Sequence, residues 1–155
     1  DLVRSRGLGD VYKRQDLYHF ALYYTKDSIT AEDAVSSAVL KAFEQLHKLR
    51  KNDAFKSWLF QITVNECKKL LKQKSIYLSD ASWQEPAAAE DGYLTPEIQD
   101  ELSQLSEPER LVITLSVFGG YTSREIAGIL KKREGSIRSI KNRALAKLRE
   151  KNADL

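Results

Sequence analysis

The sequence predicts an all-α protein in which two small helical domains are joined by an acidic flexible linker. Three observations lead to this fold class. Apolar residues recur at helical spacing in both halves, capping signals mark helix starts, and charged residues fall into bands along the 155-residue chain. The sequence contains no strand-like alternation and no internal repeat, which favours helices throughout.

Charge is distributed in three blocks. Residues 48–74 hold eight basic and two acidic side chains, a net charge of +6, and residues 122–151 hold ten and three, a net charge of +7. Residues 75–109, between them, hold nine acids and no base. Two cationic blocks separated by an anionic one indicate a protein that contacts a polyanion at two places.

Composition sets the expected domain boundaries. Residues 76–96 include Ser, Asp, Glu, Pro and three consecutive Ala, and such a segment buries little apolar surface, so we expect a linker. The helical domains then occupy residues 16–75 and 97–151, each small enough for its core to be thin and for association to add stability. Residues 1–15 lack a helical apolar stripe, and we expect them to be a non-native or disordered extension.

The carboxy-terminal block has the pattern of a helix-turn-helix. Ser106 precedes Glu109 by three residues, and Thr122 precedes Glu125 by three, so each pair can form a capping box at a helix start. The second of these helices is followed by a predicted turn at residues 131–135 and then by a third helix.

The third helix has one apolar and one polar face. Ile137, Ile140, Ala144 and Leu148 recur at helical spacing and are predicted to face the core. The opposite face holds Arg138, Ser139, Asn142, Arg143 and Arg149. Arg and Asn match guanine and adenine edges in the major groove, so DNA binding is predicted. The alternative is a solvated basic face on a structural helix.

The amino-terminal half predicts a short aromatic helix at residues 17–24 and a longer one that begins at Thr30, with Asp33 as its capping acid. The longer helix has a broad apolar face formed by Ala34, Val35, Ala38, Val39, Ala42, Phe43 and Leu46. Its polar face, which either stays in water or meets a partner helix, consists of Ser36, Ser37, Lys41, Glu44, Gln45 and Lys48.

A further helix is predicted at residues 55–72. Its polar residues Gln61, Asn65, Lys68 and Lys72 are spaced four, three and four apart and align in one stripe. Trp58 borders that stripe. Lys and Asn can hold phosphates and base edges, and an exposed aromatic ring can stack on an unpaired base. The alternative is that Trp58 is an ordinary core residue.

Other classes of function find little support in the sequence. His19 and His47 are far apart, and no nucleophile, base and orienting group can be proposed together, so the protein is not expected to be an enzyme. No Gly-rich phosphate loop or metal-spaced Cys and His set is present, so neither a cofactor nor a metal is expected. Cys67 is alone and is expected to be a packed thiol, and no apolar run is long enough to span a bilayer; a cytoplasmic protein is therefore expected.

Motifs in both halves resemble the extracytoplasmic-function (ECF) sigma factors of bacterial RNA polymerase. Similarity to their region two lies in residues 17–27, 31–35 and 55–65. Similarity to their region four lies in residues 105–110, 121–127 and 135–144. Together the two regions of similarity cover nearly all residues from Asp16 to Glu150, in the order of the family and with an acidic linker between them.

The resemblance implies a sigma factor that directs core RNA polymerase to specific promoters. Its region-four helix-turn-helix would recognise the minus-thirty-five element as duplex. Its region-two domain, of three or four helices, would melt and capture the minus-ten element, with the loop of residues 50–54 receiving a flipped base and Asn65, Lys68 and Lys72 holding the strand. The helix of residues 31–49 would dock on the clamp of the polymerase. Core polymerase, promoter DNA and an anti-sigma factor are the implied partners, without direct membrane insertion.

Two sets of candidate site residues follow. The DNA-binding set consists of Trp58, Gln61, Asn65, Lys68, Lys72, Thr122, Ser136, Arg138, Ser139, Asn142 and Arg143. The polymerase-binding set consists of Ser36, Ser37, Lys41, Glu44 and Gln45.

The chain departs from the family pattern at three places. Ser36 and Ser37 replace a usual Gln-Glu pair, and residues 131–133 replace a turn that commonly reads Gly, apolar, Pro. Lys141 occupies an expected apolar position, and Ile140 is positioned to compensate.

The alternative function is a helix-turn-helix regulator of the LuxR type with an unrelated helical amino-terminal domain, although the polar stripe beside Trp58 argues against it. A pure interaction protein would leave the two basic blocks unexplained.

Overall fold

A computed structural model of the chain describes residues 7–49, 54–80 and 92–153, without the side chains of residues 7–13, 77–80 and 152–153. In this part of the chain all regular structure is helical, which agrees with the predicted fold class. The α-helices are α1 (Gly7–Thr25), α2 (Ser28–Glu44), α3 (Phe55–Asp80), α4 (Pro96–Ser103), α5 (Glu107–Gly119), α6 (Ser123–Leu130) and α7 (Glu134–Ala153). A short 3-10 helix, Leu46–Lys48, follows α2.

Helix α2 begins earlier than predicted because Asp27, rather than Thr30 or Asp33, forms its cap. Asp27 has an extended backbone, and its carboxylate accepts the Thr30 N–H at 3.1 Å. The start at Thr30 and the capping role of Asp33 are therefore wrong. An Asp at the N-cap satisfies an amide that has no partner within the helix, and Asp33 lies one turn too late to do so.

The apolar face of α2 is narrower than predicted. It buries small side chains, namely Ala31, Ala34, Val35, Ala38 and Ala42. Phe43, predicted to be part of this face, is instead 60% exposed. At 100° per residue Phe43 lies beside Leu40 and Ser36, on the side of the helix opposite the alanine stripe.

Two helices are longer than predicted. Helix α1 begins at Gly7, so residues 7–15, expected to be a non-native or disordered extension, are helical, while residues 1–6 lie outside the described residues. Helix α3 continues to Asp80, past the predicted end at residue 72 and into the expected linker. Neither Gly nor Pro occurs in residues 55–80, so the sequence of α3 contains no strong helix breaker.

Both predicted capping boxes are present in the carboxy-terminal half. The Ser106 hydroxyl accepts the Glu109 N–H and the Glu109 carboxylate accepts the Ser106 N–H, and Thr122 and Glu125 repeat the arrangement. Helix α5 ends at Gly119, and Gly120 takes the left-handed conformation with φ 69°. Helix α4, preceded by the Thr95 cap, was not predicted as a separate element.

The turn before α7 is shorter than predicted. Helix α7 begins at Glu134, so the turn covers residues 131–133 and not 131–135. Lys131 ends α6 in the left-handed conformation, with φ 55° and its N–H bonded to the Ala127 carbonyl. This conformation closes the turn within three residues, and Gly135 falls inside α7.

The amino-terminal half (α1–α3) and the carboxy-terminal half (α4–α7) pack against each other. Helix α1 contacts α5 and helix α3 contacts α6, so one cluster of buried apolar residues extends from Leu17 to Ile140. A second, smaller cluster joins α5 to α7 around Ile113 and Ala144. Small helical domains commonly gain stability by packing against a partner, and here each half of the chain packs against the other.

Candidate nucleic-acid interface

The outer face of α7 carries the predicted base-contacting side chains. Ile137, Ile140 and Ala144 are buried beneath it, as predicted, while Lys141 is only half-buried. Ile140 therefore fills the apolar position in place of Lys141. The exposed side chains of α7 and of the start of α6 include all the predicted ones, namely Thr122, Ser136, Arg138, Ser139, Asn142, Arg143 and Arg149.

An ion pair fixes α7 against α5. Lys147 Nζ donates to Glu109 Oε1 at 2.6 Å, and Glu109 is also the acid of the first capping box. Burial of Glu109 works to raise the pKa of its carboxyl group, but the hydrogen bonds from Lys147 and Ser106 outweigh it and lower that pKa to about 2. Lys151 pairs with Asp100 of α4 and so holds the last turns of α7. These contacts set the direction in which the outer face of α7 points.

Arg138 is paired within its own helix. Its guanidinium donates to the Glu134 carboxylate one turn earlier, while the Arg138 side chain stays 64% exposed. The guanidinium is therefore at the surface but partly neutralised by an acid at the start of α7. An approaching nucleic acid would compete with Glu134 for it.

A second polar surface lies along α3. Asn65, Lys68 and Lys72 are exposed and Gln61 is half-buried, so the predicted stripe exists. Trp58 is half-buried: its ring packs against the shared core, with the Phe55 ring centroid 6.2 Å away. The Trp58 side chain is thus partly packed and partly accessible. It is neither a fully exposed ring nor an ordinary core residue, which were the two alternatives from the sequence.

Three other basic side chains near this stripe are held by contacts within the protein. Lys41 of α2 pairs with Glu66 of α3, and Lys74 lies 3.4 Å from the carboxylate of Asp27. Lys56 donates to the Gly119 carbonyl oxygen at 2.8 Å. Because these contacts tie the three bases to other parts of the protein, we do not count them as phosphate contacts and keep Lys68 and Lys72 as candidates for that role.

The outer face of α2 contains the predicted polymerase-binding residues together with apolar side chains that the sequence analysis missed. Ser36 and Glu44 are exposed, Ser37 and Gln45 are half-buried, and Lys41 is engaged by Glu66. Three large apolar residues on the same surface are about 60% exposed, namely Ile29, Leu40 and Phe43. At 100° per residue these three residues lie on the side of α2 opposite the alanine stripe, and this spacing could have identified them from the sequence.

Cys67 is fully buried, as predicted for a packed thiol. Burial raises the pKa of the Cys67 thiol to about 12, so the group stays protonated at neutral pH.

Residues 50–53 of the loop expected to receive a flipped base lie outside the described residues, and Ala54 at its end is exposed. No helix in the described ranges has both the length and the apolar character needed to cross a bilayer.

The protein exposes two basic surfaces on a helical scaffold. One of them lies on α7, which is the second helix of the helix-turn-helix formed by α6 and α7. These features define a DNA-binding protein of the helix-turn-helix class. Residues 12–76 match the family described as Sigma-70 region 2, and residues 102–150 match Sigma-70, region 4. The chain belongs to the sigma-70 family and, within it, to the ECF sigma factors. Both regions occur in chain order, and the matches do not support the LuxR-type alternative.

Relatives agree with this assignment, and a solved structure has a similar fold. The RNA polymerase sigma factor SigV of Bacillus subtilis (strain 168) is 29% identical over 139 residues, which cover 88% of this chain and 84% of the relative. The ECF RNA polymerase sigma-E factor of Escherichia coli (strain K12) is 33% identical over 125 residues, covering 69% and 65%. The fold is similar to that of the sigma factor RpoE in complex with the anti-sigma factor NepR from Bartonella quintana, with a TM-score of 0.80, 24% identity and 96% of each chain covered.

Proposed function

We propose that this protein directs core RNA polymerase to promoters and recognises them through two separate surfaces. The observation that carries the proposal is the presence of an exposed basic face on α7 and an exposed polar stripe on α3, in the two segments that match sigma-70 regions 4 and 2. The protein would act by binding alone, and no covalent step is required of it.

Helix α7 would recognise the minus-thirty-five element as duplex DNA. Arg138 and Arg143 can donate two hydrogen bonds to guanine, and Asn142 can pair with adenine in the major groove. Thr122, Ser136 and Ser139 are short polar side chains suited to phosphate contacts around this helix. The ion pair between Glu109 and Lys147 supports this role because it holds α7 in a defined orientation.

Helix α3 would hold one strand of the opened minus-ten element. Lys68 and Lys72 are positioned one turn apart for successive phosphates, and Asn65 is one turn before Lys68. The accessible part of Trp58 can stack on an unpaired base, a contact worth about 1–3 kcal/mol. Capture of the exposed base would offset the few kcal/mol that unstacking costs.

The outer face of α2 would dock on the polymerase. Ser36, Ser37, Glu44 and Gln45 provide polar contacts, and Lys41 adds a charge that is already shared with Glu66. Ile29, Leu40 and Phe43 would supply the apolar centre that protein interfaces commonly have. An anti-sigma factor is a further inferred partner, since the sigma factor RpoE, which has a similar fold, forms a complex with the anti-sigma factor NepR. We infer that the protein works in the cytoplasm, where polymerase and the chromosome are found.

Permanganate and nuclease footprints of holoenzyme on promoter DNA test the two surfaces, since permanganate reports unpaired thymines and the nuclease reports protected duplex. Holoenzyme with the wild-type chain should make minus-ten thymines reactive, and Lys68→Ala with Lys72→Ala should reduce that reactivity while leaving upstream protection in place. Arg138→Ala or Asn142→Ala should instead relax upstream sequence preference, at about 1–3 kcal/mol for each lost base contact.

The control for charge is Lys132→Ala, which removes an exposed base from the turn before α7. Wild-type reactivity in the α3 double variant would overturn the role of α3, and unchanged upstream preference in both α7 variants would overturn the assigned face. If wild-type holoenzyme neither protects nor opens any promoter in a random library, the proposed function fails.

A further inference from the structure

A buried carboxylate on α3 pairs with a base on α2. Glu66 is 6% exposed, and its carboxylate accepts a hydrogen bond from the Lys41 ammonium. The Lys41 side chain is 42% exposed, so the acid is removed from water more completely than the base. In the described ranges Lys41 is the sole hydrogen-bond and ion-pair partner of this carboxylate. Because a buried charge is costly unless it is paired, Glu66 depends on Lys41.

The two members of this ion pair lie beside the two candidate surfaces. Glu66 directly follows Asn65, and we call the exposed residues Asn65, Lys68 and Lys72 the α3 stripe. Lys41 lies one turn after Ser37 and one turn before Gln45, which are both half-buried members of the polymerase-binding set. The ion pair therefore joins the helix that would dock on polymerase to the helix that would hold the strand.

The apolar contacts between α2 and α3 leave the rotation of α3 weakly defined. The side chains that α2 buries are four alanines and one valine, and apolar contacts of this kind have no preferred direction. At 100° per residue Glu66 lies on the same side of α3 as Ile62 and Leu70, so this side faces α2. A charged hydrogen bond on that side adds a directional contact. A second ion pair, between Lys74 and Asp27, lies at the other end of α2.

A small rotation of α3 would displace the stripe. Side chains reach about 6 Å from a helix axis, so a rotation of about 20° moves their ends by about 2 Å. Such a shift is larger than the range over which a hydrogen bond forms, about 2.7–3.2 Å between donor and acceptor. The geometry of the ion pair therefore matters for side chains that must meet phosphates.

Polar contacts of α5 do not have this position. The Tyr24 hydroxyl donates to Glu107 Oε1 at 2.5 Å and so joins α1 to α5. Lys147 and Glu109 join α7 to α5. Helix α5 contains no residue of the DNA-binding or polymerase-binding set, so neither contact joins two candidate surfaces.

We propose that Glu66 is a positioning residue for strand capture: bound to Lys41, it fixes the rotation of α3 on α2 and so directs the α3 stripe towards the captured strand. The inference rests on the proposed function and adds to it a residue outside both candidate sets. Glu66 is buried and acts through Lys41 rather than by touching DNA. Loss of its charge should therefore weaken strand capture while docking on polymerase and upstream binding remain.

Two anisotropy titrations of the full chain test the proposal. One measures binding of the chain to core polymerase. The other measures binding of holoenzyme, at saturating core, to a single-stranded oligonucleotide with the minus-ten sequence of a promoter selected from a random library. Glu66→Gln keeps the size of the side chain and removes its charge. We expect it to bind the oligonucleotide about tenfold more weakly, with an affinity for core polymerase within about twofold of the wild type.

A double-mutant cycle tests whether Glu66 acts through Lys41. Lys41→Met should weaken oligonucleotide binding, and Glu66→Gln added to it should cause no further loss, because the ion pair is already broken. Lys41→Arg keeps a cation within reach of Glu66 and should bind the oligonucleotide nearly as the wild type does. Independent losses from Lys41→Met and Glu66→Gln would overturn the role of the pair.

The matched control for stability is Val64→Ala, which truncates a buried side chain of α3 and leaves the ion pair in place. Val64 is 2% exposed, so this variant should lower the melting temperature at least as much as Glu66→Gln does. At a temperature where circular dichroism shows both variants folded, Val64→Ala should bind the oligonucleotide with wild-type affinity. An equal loss of binding in both variants would show that Glu66 contributes to stability alone and would overturn the inference.

The outcomes distinguish this inference from the proposed function. Wild-type holoenzyme that binds neither the oligonucleotide nor the upstream duplex would overturn the proposed function, and the inference with it. Equal oligonucleotide binding by the wild type and Glu66→Gln would overturn the inference alone. A Glu66→Gln chain that loses affinity for core polymerase as strongly as for the oligonucleotide would place Glu66 in docking and would also overturn the inference.

Discussion

Arg138 illustrates how a neighbouring acid reduces the positive charge that a candidate side chain presents to DNA. The guanidinium was predicted to face outward and does so, but Glu134 of the same helix binds it. The spacing of Glu and Arg four residues apart was visible in the sequence and is a recognised helical pair. The free protein therefore presents a less cationic surface at this point than the count of basic residues suggests.

Replacing Glu134 with Gln should strengthen binding to the upstream duplex about two- to fivefold at low salt. The substitution removes a carboxylate that competes with DNA for Arg138 and repels phosphates, and an exposed ion pair of this kind contributes little to stability. Fluorescence anisotropy of holoenzyme on labelled minus-thirty-five duplex measures the change. Glu150→Gln, which removes the same charge near the other end of α7, is the control; equal effects from both variants would mean that Glu134 acts only through net charge.

Glu109 should make the folding stability depend on acidity. Its pKa is lowered to about 2 in the folded protein, so the stability it contributes is complete above its unfolded pKa of about 4.5 and is lost as the pH falls towards 2. This carboxylate alone should account for a loss of about 2 kcal/mol between pH 6 and pH 3. Urea unfolding of the wild type and of Glu109→Gln at both pH values measures it, with Glu97→Gln as the control. An identical pH dependence in Glu109→Gln and the wild type would contradict the assignment.

At the scale of elements, the sequence predicts helix interiors and capped starts better than helix ends. Ser106 with Glu109 and Thr122 with Glu125 form the expected boxes because the residues that make each box are local in sequence. The end of α3 was placed too early because nothing local stops a helix there. The cap at Asp27 was not predicted because an acid followed by Ser can either start a helix or belong to a turn. Packing against the rest of the protein decides between these two structures.

Lys131 occupies a position that favours glycine. It takes φ 55° at the end of α6, where a side chain with a Cβ is strained. We expect Lys131→Gly to raise the free energy of unfolding by about 1 kcal/mol, measured by chemical denaturation. Lys132→Gly provides the comparison, because Lys132 does not have a positive φ and glycine there should only cost backbone entropy. A stability gain in Lys132→Gly but not in Lys131→Gly would contradict this explanation.

At the scale of the whole molecule, the packing of one half on the other could not be derived from the sequence. Helical periodicity predicts that Phe60 or Leu111 is buried but does not say which helix covers it. The residues along the boundary, including Tyr24 and Tyr121, therefore look like ordinary core residues of separate domains. Their partners lie more than sixty positions away, as the pair Lys56 and Gly119 illustrates with a separation of 63.

A shared core predicts a single cooperative unfolding transition. Differential scanning calorimetry of the wild type should give one peak with an enthalpy of about 110 kcal/mol and equal calorimetric and van't Hoff enthalpies. The double variant Tyr24→Phe with Lys56→Met weakens the boundary and should broaden or divide that peak. Two resolved transitions in the wild type would mean that the halves unfold independently.

The bond between Tyr24 and Glu107 also has a consequence for how the protein is made. The two residues are 83 positions apart, so a ribosome adding about 5–20 residues per second completes the first of them several seconds before the second. Until the later helix emerges, the nascent chain has an uncovered aromatic surface around Tyr24 and Phe60. Chaperones that bind nascent chains would find their target in that interval, and slowing translation just after α3 should lengthen it.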